Sequence, residues 1–392
     1  MADALPPPEI LSTSLGADWV SLNPKTPTDP ADVDAAKQVR AKAERQLADV
    51  LLSENLIVLT GLGTSLCVKD AAGKSLAPGM GDLWKEAEKL TKDNLKSVAD
   101  AVSFDLAKPN IESLLSRCQL AQQLKPNADI AAFVENAERM IVAKCRFVNS
   151  SLPLDTHEAF LRRVARRSTR LPRVKLFTTN YDLCFEQAAS RTRFVVIDGF
   201  SHTQPQEFDG GYFSYDMVRR HQDREIPDFI PNVFHLYKIH GSVDWAASDG
   251  QIVRDDKAEH PLLIFPRESK FQLSYDQPFL EMMARLQMAL RQPNTGLLVV
   301  GFGFNDHHIS QPLISAVRAN VSLKVSVVDP FLKTSTNPIH TEMVSLIKKG
   351  DSRLSLFAMT FESVLPLIPN LVAQTEEEQH RGRLTGRGGT HA

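Results

Sequence analysis

The stretch Leu56-Ile57-Val58-Leu59-Thr60 runs directly into Gly61-Leu62-Gly63-Thr64-Ser65. A continuous apolar run of this length that stops at a glycine predicts a short strand buried on both faces, as in a parallel sheet. The glycine-containing turn predicts free backbone N–H groups, which bind phosphate; a plain tight turn is the alternative. Leu66 stands where the fingerprint G-x-G-x-x-G has its third glycine, so the turn departs from that motif.

The same pattern, an apolar run that ends in a polar cluster, recurs along the chain. Strands are predicted at 174–178, 194–197, 233–239, 261–265, 297–300 and 323–328, with helical patterns between most of them. This alternation predicts an α/β fold, a Rossmann-like parallel sheet covered by helices on both faces. Ligands of such sheets lie beyond the carboxyl ends of the strands. The polar clusters therefore predict one cleft: 61–65, 180–182, 240–242, 301–306 and Asp329.

Composition changes along the chain predict its organisation. Residues 1–30 are rich in Pro, Ser, Thr and Asp, which predicts a flexible or docked N-terminal arm. The main domain is predicted at 31–370 with a helical insert at about 81–170, and the charged, Gly-rich residues 374–392 predict a disordered tail. With no secretory signal and no apolar stretch of bilayer length, a cytoplasmic protein without membrane contact is expected.

Charge and cysteine content narrow the class of protein. The formal net charge of the 392 residues is −2, so no whole-molecule field recruits nucleic acid or membrane. The 4 cysteines form no C-x-x-C pair, and His307-His308 has no carboxylate or cysteine at ligand spacing, so no metal site is predicted. The basic stretch 162–175 is either a solvated helix face or a docking surface for nucleic acid or an acidic partner.

Each polar strand end allows a structural and a chemical interpretation. His240, between a strand and Gly241, is either a hydrogen-bonded strand-end histidine or a general base in the cleft. Asn180 is a turn residue or helix cap, or its amide orients a ribose hydroxyl or a water. Asp182 caps the helix that follows or binds a ligand, and Asp329 is well placed for the ribose hydroxyls of a nucleotide.

Taken in order, these clusters resemble the sirtuin-like NAD-binding family over about residues 50–335. The stretch 59–65 resembles its T-G-A-G-x-S phosphate loop, 179–182 its T-Q-N-I-D segment, and His240-Gly241 its catalytic H-G. The stretch 300–303 resembles its V-G-T-S loop, and 327–329 its late strand near the adenosine. The resemblance implies NAD as substrate, His240 and Asn180 as catalytic residues, and a set of NAD-binding residues: Gly61, Gly63, Thr64, Ser65, Asp182, Gly301, Gly303 and Asp329.

Two departures from the family bear on the substrate. Protein-deacylating sirtuins carry four zinc cysteines between the H-G and G-T-S segments, whereas residues 244–296 contain no cysteine, so no zinc is expected. The G-I-P-D-F-R segment is also missing, and Cys67-Val68-Lys69-Asp70 stands in its place. Both losses disfavour an acyl-lysine peptide. The patterns T-T-N-Y-D, H-G-S and G-F-G-F-N-D instead resemble bacterial sirtuin-like proteins of anti-phage defence.

In those relatives the domain hydrolyses NAD to ADP-ribose and nicotinamide. The resemblance thus implies an NAD glycohydrolase that depletes NAD in an infected cell through an oxocarbenium-like state. The chain length and helical additions resemble the subunit that works with a HerA-type ring ATPase, so that partner and a homo-oligomer are expected. The alternatives are a non-catalytic sensor or scaffold that binds NAD or ADP-ribose, and a protein deacylase.

Overall fold

The fold is built around one large sheet. A computed structural model describes residues 5–90, 94–220, 228–266 and 277–371, and the predicted tail at 374–392 lies outside these ranges. The strands are β1 (Glu9–Ser12), β2 (Trp19–Ser21), β3 (Asn55–Thr60), β4 (Lys175–Thr178), β5 (Val195–Ile197), β6 (Val218–Arg219), β7 (Asp228–Phe229), β8 (Val233–Lys238), β9 (Trp245–Ser248), β10 (Gln251–Arg254), β11 (Thr295–Val300), β12 (Lys324–Val328) and β13 (Leu354–Ala358). The α-helices are α1 (Pro30–Leu51), α2 (Met80–Leu90), α3 (Leu95–Ala101), α4 (Ile111–Leu124), α5 (Ala128–Cys145), α6 (Asp155–Val164), α7 (Cys184–Thr192), α8 (Phe279–Leu290), α9 (His307–Ala319), α10 (Pro338–Lys348) and α11 (Phe361–Val364).

The sheet has nine strands in the order β2-β1-β13-β12-β11-β3-β4-β8-β5. All neighbours from β13 to β5 are parallel. Alternate side chains of β3 enter two different cores: Ile57 and Leu59 join one, and Leu56 and Val58 join the other. A strand buried on both faces has no solvent-facing positions, which is why its sequence is continuously apolar. The predicted parallel α/β sheet is confirmed for six of these seven strands, and the seventh, β13, was not predicted.

The carboxyl ends of five parallel strands lie side by side. Thr60 at the end of β3 is in register with Val300 of β11 and Thr178 of β4. Thr178 is in turn in register with Lys238 of β8, and Val300 with Val328 of β12. The loops that follow these strands therefore start at the same edge of the sheet, as the polar clusters predicted.

Part of the N-terminal arm extends the sheet. β1 pairs antiparallel with β13, and β2 pairs antiparallel with β1, so the sheet is mixed rather than purely parallel. Ile10 and Leu11 are fully buried, one in each core. The sequence pattern missed both strands, because they have only 4 and 3 residues. It also missed β13, the partner of β1, which lies near the far end of the described chain.

The predicted helical insert has a core of its own. Helices α2 to α5 surround Trp84, Leu114, Phe133 and Ile141, which form a cluster separate from the two sheet cores. Two of these helices begin at asparagines that accept backbone N–H groups, α4 at Asn110 and α5 at Asn127. The next helix, α6, packs on the sheet instead. Across the described residues, no helix combines the length and apolar character needed to cross a membrane.

The segment after β8 differs from the strand pattern that its sequence predicted. At 261–265 only Leu263 forms a bridge, to Gly241, instead of a strand. β9 and β10 form a small antiparallel hairpin that the sequence pattern missed. Leu262 accounts for this arrangement, since its N–H donates to the carbonyl of Trp245 and its carbonyl lies against Gly241. This segment supports the His240 loop rather than extending the sheet.

Candidate functional site

The loop after β3 packs directly on the loop after β11. The N–H of Gly63 donates to the carbonyl of Gly301 at 2.9 Å. A Cβ atom on Gly63 would lie 2.5 Å from Gly301 Cα, and one on Gly61 would lie 2.8 Å from Gly301 O. Gly301 also has φ of +63°, a left-handed conformation that favours glycine. These three glycines are therefore needed for backbone contact between two loops, whether or not a phosphate approaches them.

Asn180 ties these loops to the end of β4. Its Nδ2 donates to Gly61 O at 3.0 Å, to Thr64 Oγ1 at 3.2 Å and to Ser65 Oγ at 2.8 Å. The carbonyl of Gly61 can only accept, so it fixes which end of the Asn180 amide points into the loop. The amide oxygen makes no hydrogen bond to any residue that the structure describes. Asn180 thus fixes the glycine loop through its amide nitrogen, and its amide oxygen stays available to accept a hydrogen bond.

Asp182, Thr64 and Ser65 point into the protein. Asp182 accepts from Ser65 Oγ at 2.6 Å and, with its other oxygen, from the N–H of Cys184 at 3.0 Å. This second bond is a local turn just before α7, whose N-cap is Leu183 rather than Asp182. Thr64 and Ser65 have no exposed surface, and Thr64 Oγ1 donates back to Gly61 O at 2.9 Å. Their side chains shape the loop. The N–H groups of Gly61, Gly63, Thr64 and Ser65 all donate to backbone carbonyls, so the prediction of free N–H groups was wrong at these four positions.

Lys238 is a buried cation that the sequence analysis missed. It is 2% exposed at the end of β8 and lies 2.9 Å from Glu186 Oε1. Its ammonium also donates to the carbonyls of Tyr181 and Asp182, which fixes the loop after β4 against the end of β8. Burial raises the pKa of Glu186, and the nearby Lys238 opposes that shift. The sequence signal for this ion pair was a lysine within the mostly apolar strand 233–239, because a charge buried in such a strand needs a partner.

His240 has a histidine partner that spacing along the chain could not reveal. Its Nε2 lies 3.0 Å from Nε2 of His308, in the first turn of α9. His240 is buried, and Gly241 after it has φ of +83°. With Asp306, the two histidines form a group whose ligand atoms all lie within 4.8 Å of one another. Spacing along the chain predicted no metal ligands around His307-His308, whereas the fold brings three possible donor side chains together there, since His240 comes from the loop after β8.

Beside these loops lies a cleft of about 740 Å³ between the starts of α9 and α10. Its size is within the range of nucleotide and small-molecule sites. Gly303 and Asp329, two of the predicted binding residues, line it, and so does His340, which the sequence analysis missed. Burial raises the pKa of Asp329 and lowers the pKa of His340 to about 4, so His340 is neutral at pH 7. Nε2 of His340 is buried without a hydrogen-bond partner in the described part of the chain.

The basic stretch 162–175 is neither a solvated helix face nor a row of surface cations. Among its seven basic residues only Arg170 is exposed. Arg163 donates to the carbonyls of Leu365 and Ile368, at 2.9 and 2.6 Å. Arg173 binds the carboxylate of Asp216 through two nitrogens, at 2.9–3.1 Å. These arginines cross-link distant parts of the chain, a role that charge density alone does not distinguish from nucleic-acid binding.

The geometry resembles a nucleotide site at the edge of a parallel sheet, and one comparison with known families agrees. Residues 174–327 match the family model of the SIR2-like domain. The match contains Asn180, His240, Gly301 and His308, whereas Asp329 and the loop at 61–65 lie outside it. No curated protein matches the chain. A SIR2-like domain implies that this part of the chain binds or processes NAD.

Proposed function

We propose that the chain is an NAD glycohydrolase, which transfers the ADP-ribosyl group of NAD to water. The observation that carries the proposal is the position of Asn180 and His240 after the paired strands β4 and β8 of the SIR2-like domain. The glycine loop after β3 and the cleft lined by Gly303 and Asp329 belong to the same edge. That edge has room for a dinucleotide along several strand ends.

In this reaction water adds to C1′ of the nicotinamide ribose, and the bond from C1′ to the nicotinamide nitrogen breaks. The products are ADP-ribose, nicotinamide and a proton. Positive charge builds up on the ribose before water attacks. His240 would accept a proton from a ribose hydroxyl and so stabilise that charge, a contribution of about a hundred- to ten-thousand-fold. The available oxygen of Asn180 would accept a hydrogen bond from that hydroxyl or from the attacking water.

The remaining predicted residues would hold the dinucleotide. The loop formed by Gly61, Gly63, Thr64 and Ser65 would lie against the phosphates, and its backbone N–H groups, which donate to neighbouring carbonyls, would keep its shape. Gly303 and Asp329 would bind the adenosine half in the cleft, with Gly301 fixing the loop between the two halves. Asp182 would act through Ser65, since both of its oxygens already accept hydrogen bonds from the protein.

The test is NAD consumption by the purified full chain, alone and with candidate activators, with nicotinamide and ADP-ribose measured separately. We expect His240→Ala and Asn180→Ala to lower the rate at least about a hundredfold. The control is His202→Gln, at an exposed histidine of the same domain. Parent-like rates in the first two variants would refute the catalytic assignment. Turnover of acyl-lysine peptides with NAD would favour a deacylase instead.

The cellular setting of the proposal is anti-phage defence by NAD depletion, in a complex with a HerA-type ring ATPase. Its support is the resemblance of T-T-N-Y-D, H-G-S and G-F-G-F-N-D to such proteins. By mass photometry the chain alone should form a homo-oligomer. Mixing it with that ATPase should give a larger complex that contains both proteins, and faster NAD consumption. Separate masses at micromolar concentration would refute the partner.

One observation favours a second candidate, a non-catalytic sensor of NAD or ADP-ribose. The amide nitrogen of Asn180 is fully engaged by three loop oxygens, which suits a rigid binding site as well as a catalytic one. Tight NAD or ADP-ribose binding without turnover, under every activating condition tried, would select this candidate.

A further inference from the structure

Two imidazole nitrogens converge in the site, and a carboxylate stands beside them. Nε2 of His240 and Nε2 of His308 are 3.0 Å apart, and Asp306 completes a group within 4.8 Å. Zinc–nitrogen bonds of about 2.0–2.1 Å in a tetrahedral site separate two ligand nitrogens by roughly 3.3 Å. The histidine pair is therefore within a few tenths of an ångström of the spacing that a bound zinc requires.

Asp306 does not do what its position in the helix predicts. It occupies the N-cap of α9, where aspartate usually accepts a backbone N–H, yet its side chain makes no capping hydrogen bond. Its carboxylate is instead near the two histidines. Two imidazoles and one carboxylate are a donor set typical of zinc and neighbouring transition metals. Magnesium and calcium prefer sites built from oxygen donors alone.

The donors also stand on rigid parts of the fold. His240 is 3% exposed in the turn two residues after β8, and a Cβ atom on the next residue, Gly241, would lie 2.1 Å from Leu262 O. His308 belongs to the first turn of α9. Ligands held by a buried strand end and a helix lose little conformational freedom when a metal binds, which favours affinity.

We propose that His240, Asp306 and His308 bind one zinc-class divalent ion, and that this ion holds the enzyme inactive. The inhibitory part rests on the proposed NAD hydrolysis. A neutral imidazole has one nitrogen lone pair, and a metal ion that coordinates it leaves His240 unable to accept a proton. When the ion is released, the His240 nitrogen can accept a proton again. Such a reversible inactive state suits an enzyme whose constant activity would deplete the NAD of its own cell.

Metal binding is tested without NAD. The metal-free full chain is titrated with Zn²⁺ against a chromophoric chelator, with Mg²⁺ as a comparison. We expect one Zn²⁺ per chain and no Mg²⁺ bound at the same concentration. His308→Ala and Asp306→Asn should each weaken Zn²⁺ binding at least about tenfold. The matched control is His307→Ala, at the exposed neighbouring histidine, which should bind as the parent does.

The variant Cys67→Ser tests whether a cysteine, rather than the proposed residues, binds the Zn²⁺. Cys67 is half-buried, and the other three cysteines are buried. We expect Cys67→Ser to bind Zn²⁺ as the parent does. Loss of Zn²⁺ binding in this variant would refute the site at His240, Asp306 and His308. A thermal melt of each variant, with and without Zn²⁺, separates loss of the site from loss of the fold. The parent and His307→Ala should melt higher with Zn²⁺, and His308→Ala should not.

The regulatory part is tested by NAD consumption. In the parent, stoichiometric Zn²⁺ should lower the rate at least about tenfold, and a chelator should restore it. In His308→Ala the remaining rate should not respond to Zn²⁺. Absence of stoichiometric binding, binding unaffected by His308→Ala and Asp306→Asn, or a faster rate with Zn²⁺ would each overturn the inference. A chain that binds Zn²⁺ at these residues but never consumes NAD would refute the proposed function and leave the metal site standing.

Discussion

The two halves of the candidate site satisfy their polar groups in opposite ways. In the first, called here the locked half (residues 61–65, Asn180, Asp182 and Gly301), loop backbones touch and buried side chains bond to one another. In the second, the open half (Gly303, Asp329 and His340), side chains line a cleft of about 740 Å³ and His340 keeps an unpartnered ring nitrogen. The sequence motifs of the two halves contain similar polar residues. The difference indicates that the locked half uses its polar groups to fix the loops, and the open half has side chains available to recognise a ligand.

The strongest test of the locked half is Gly301→Ala. The new Cβ would lie 2.6 Å from Gly63 Cα, and φ at this position is +63°. Overpacking and backbone strain together should lower the free energy of unfolding by about 3 kcal/mol. The control is Gly303→Ala, two residues on, where the nearest atom of the described residues is Asn305 Nδ2 at 3.3 Å and a change below about 0.5 kcal/mol is expected. Equal urea midpoints for the two variants would contradict the comparison.

Ser65→Ala should have the next largest effect. It removes the donor at 2.6 Å from the Asp182 carboxylate and one acceptor of Asn180, in a region closed to water. An unpaired buried carboxylate oxygen should cost about 2 kcal/mol of stability.

Ser335→Ala is the matched control for Ser65→Ala. Ser335 bonds to His340 Nδ1 at 2.7 Å, but it is half-buried in the cleft, where water can replace its hydroxyl. A loss below about 1 kcal/mol is expected. Both variants are compared by urea unfolding, and a larger loss for Ser335→Ala would reverse the assignment of the halves.

The open half is tested by Asp329→Asn, which keeps the shape of the side chain and removes its charge. If Asp329 binds a ribose hydroxyl, the KM of the variant for NAD should rise about tenfold with kcat little changed. A tenfold rise corresponds to a loss of about 1.4 kcal/mol of binding free energy. The unfolding midpoint should stay near that of the parent. A fall in kcat with unchanged KM would place Asp329 in the chemical step instead.

The smallest effect per pH unit is a pH dependence of stability from a histidine buried beneath the site. Burial lowers the pKa of His157, which lies near Cys67 just after the locked half, to about 4, below the ordinary value near 6.5. Because the unfolded chain binds the proton more readily, His157 should lower stability as pH falls from 6.5 toward 4, by roughly 1 kcal/mol per pH unit. Urea unfolding at pH 7 and pH 5 should show a smaller loss for His157→Phe than for the parent, whereas His202→Gln should keep the parent's loss.

The local sequence determined the central strands, their parallel arrangement and the edge where the polar clusters meet. A run such as 56–60 is apolar at every position because both faces are buried, and a glycine marks where it ends. This information is contained within a few consecutive residues. It therefore predicted the strand ends that carry Asn180 and His240, although whether they are catalytic stays a prediction.

Only the tertiary structure decided which distant groups meet. It placed His308 and Asp306 beside His240, paired β1 with β13, and directed Arg163 and Arg173 to partners elsewhere in the chain. It also assigned the amide of Asn180 and the carboxylate of Asp182 to hold the glycine loop. These contacts join residues far apart in sequence, and short motifs carry no information on them because their geometry depends on packing of the whole sheet. The sequence determined where chemistry could occur, and the folded chain decided which side chains remain available for it.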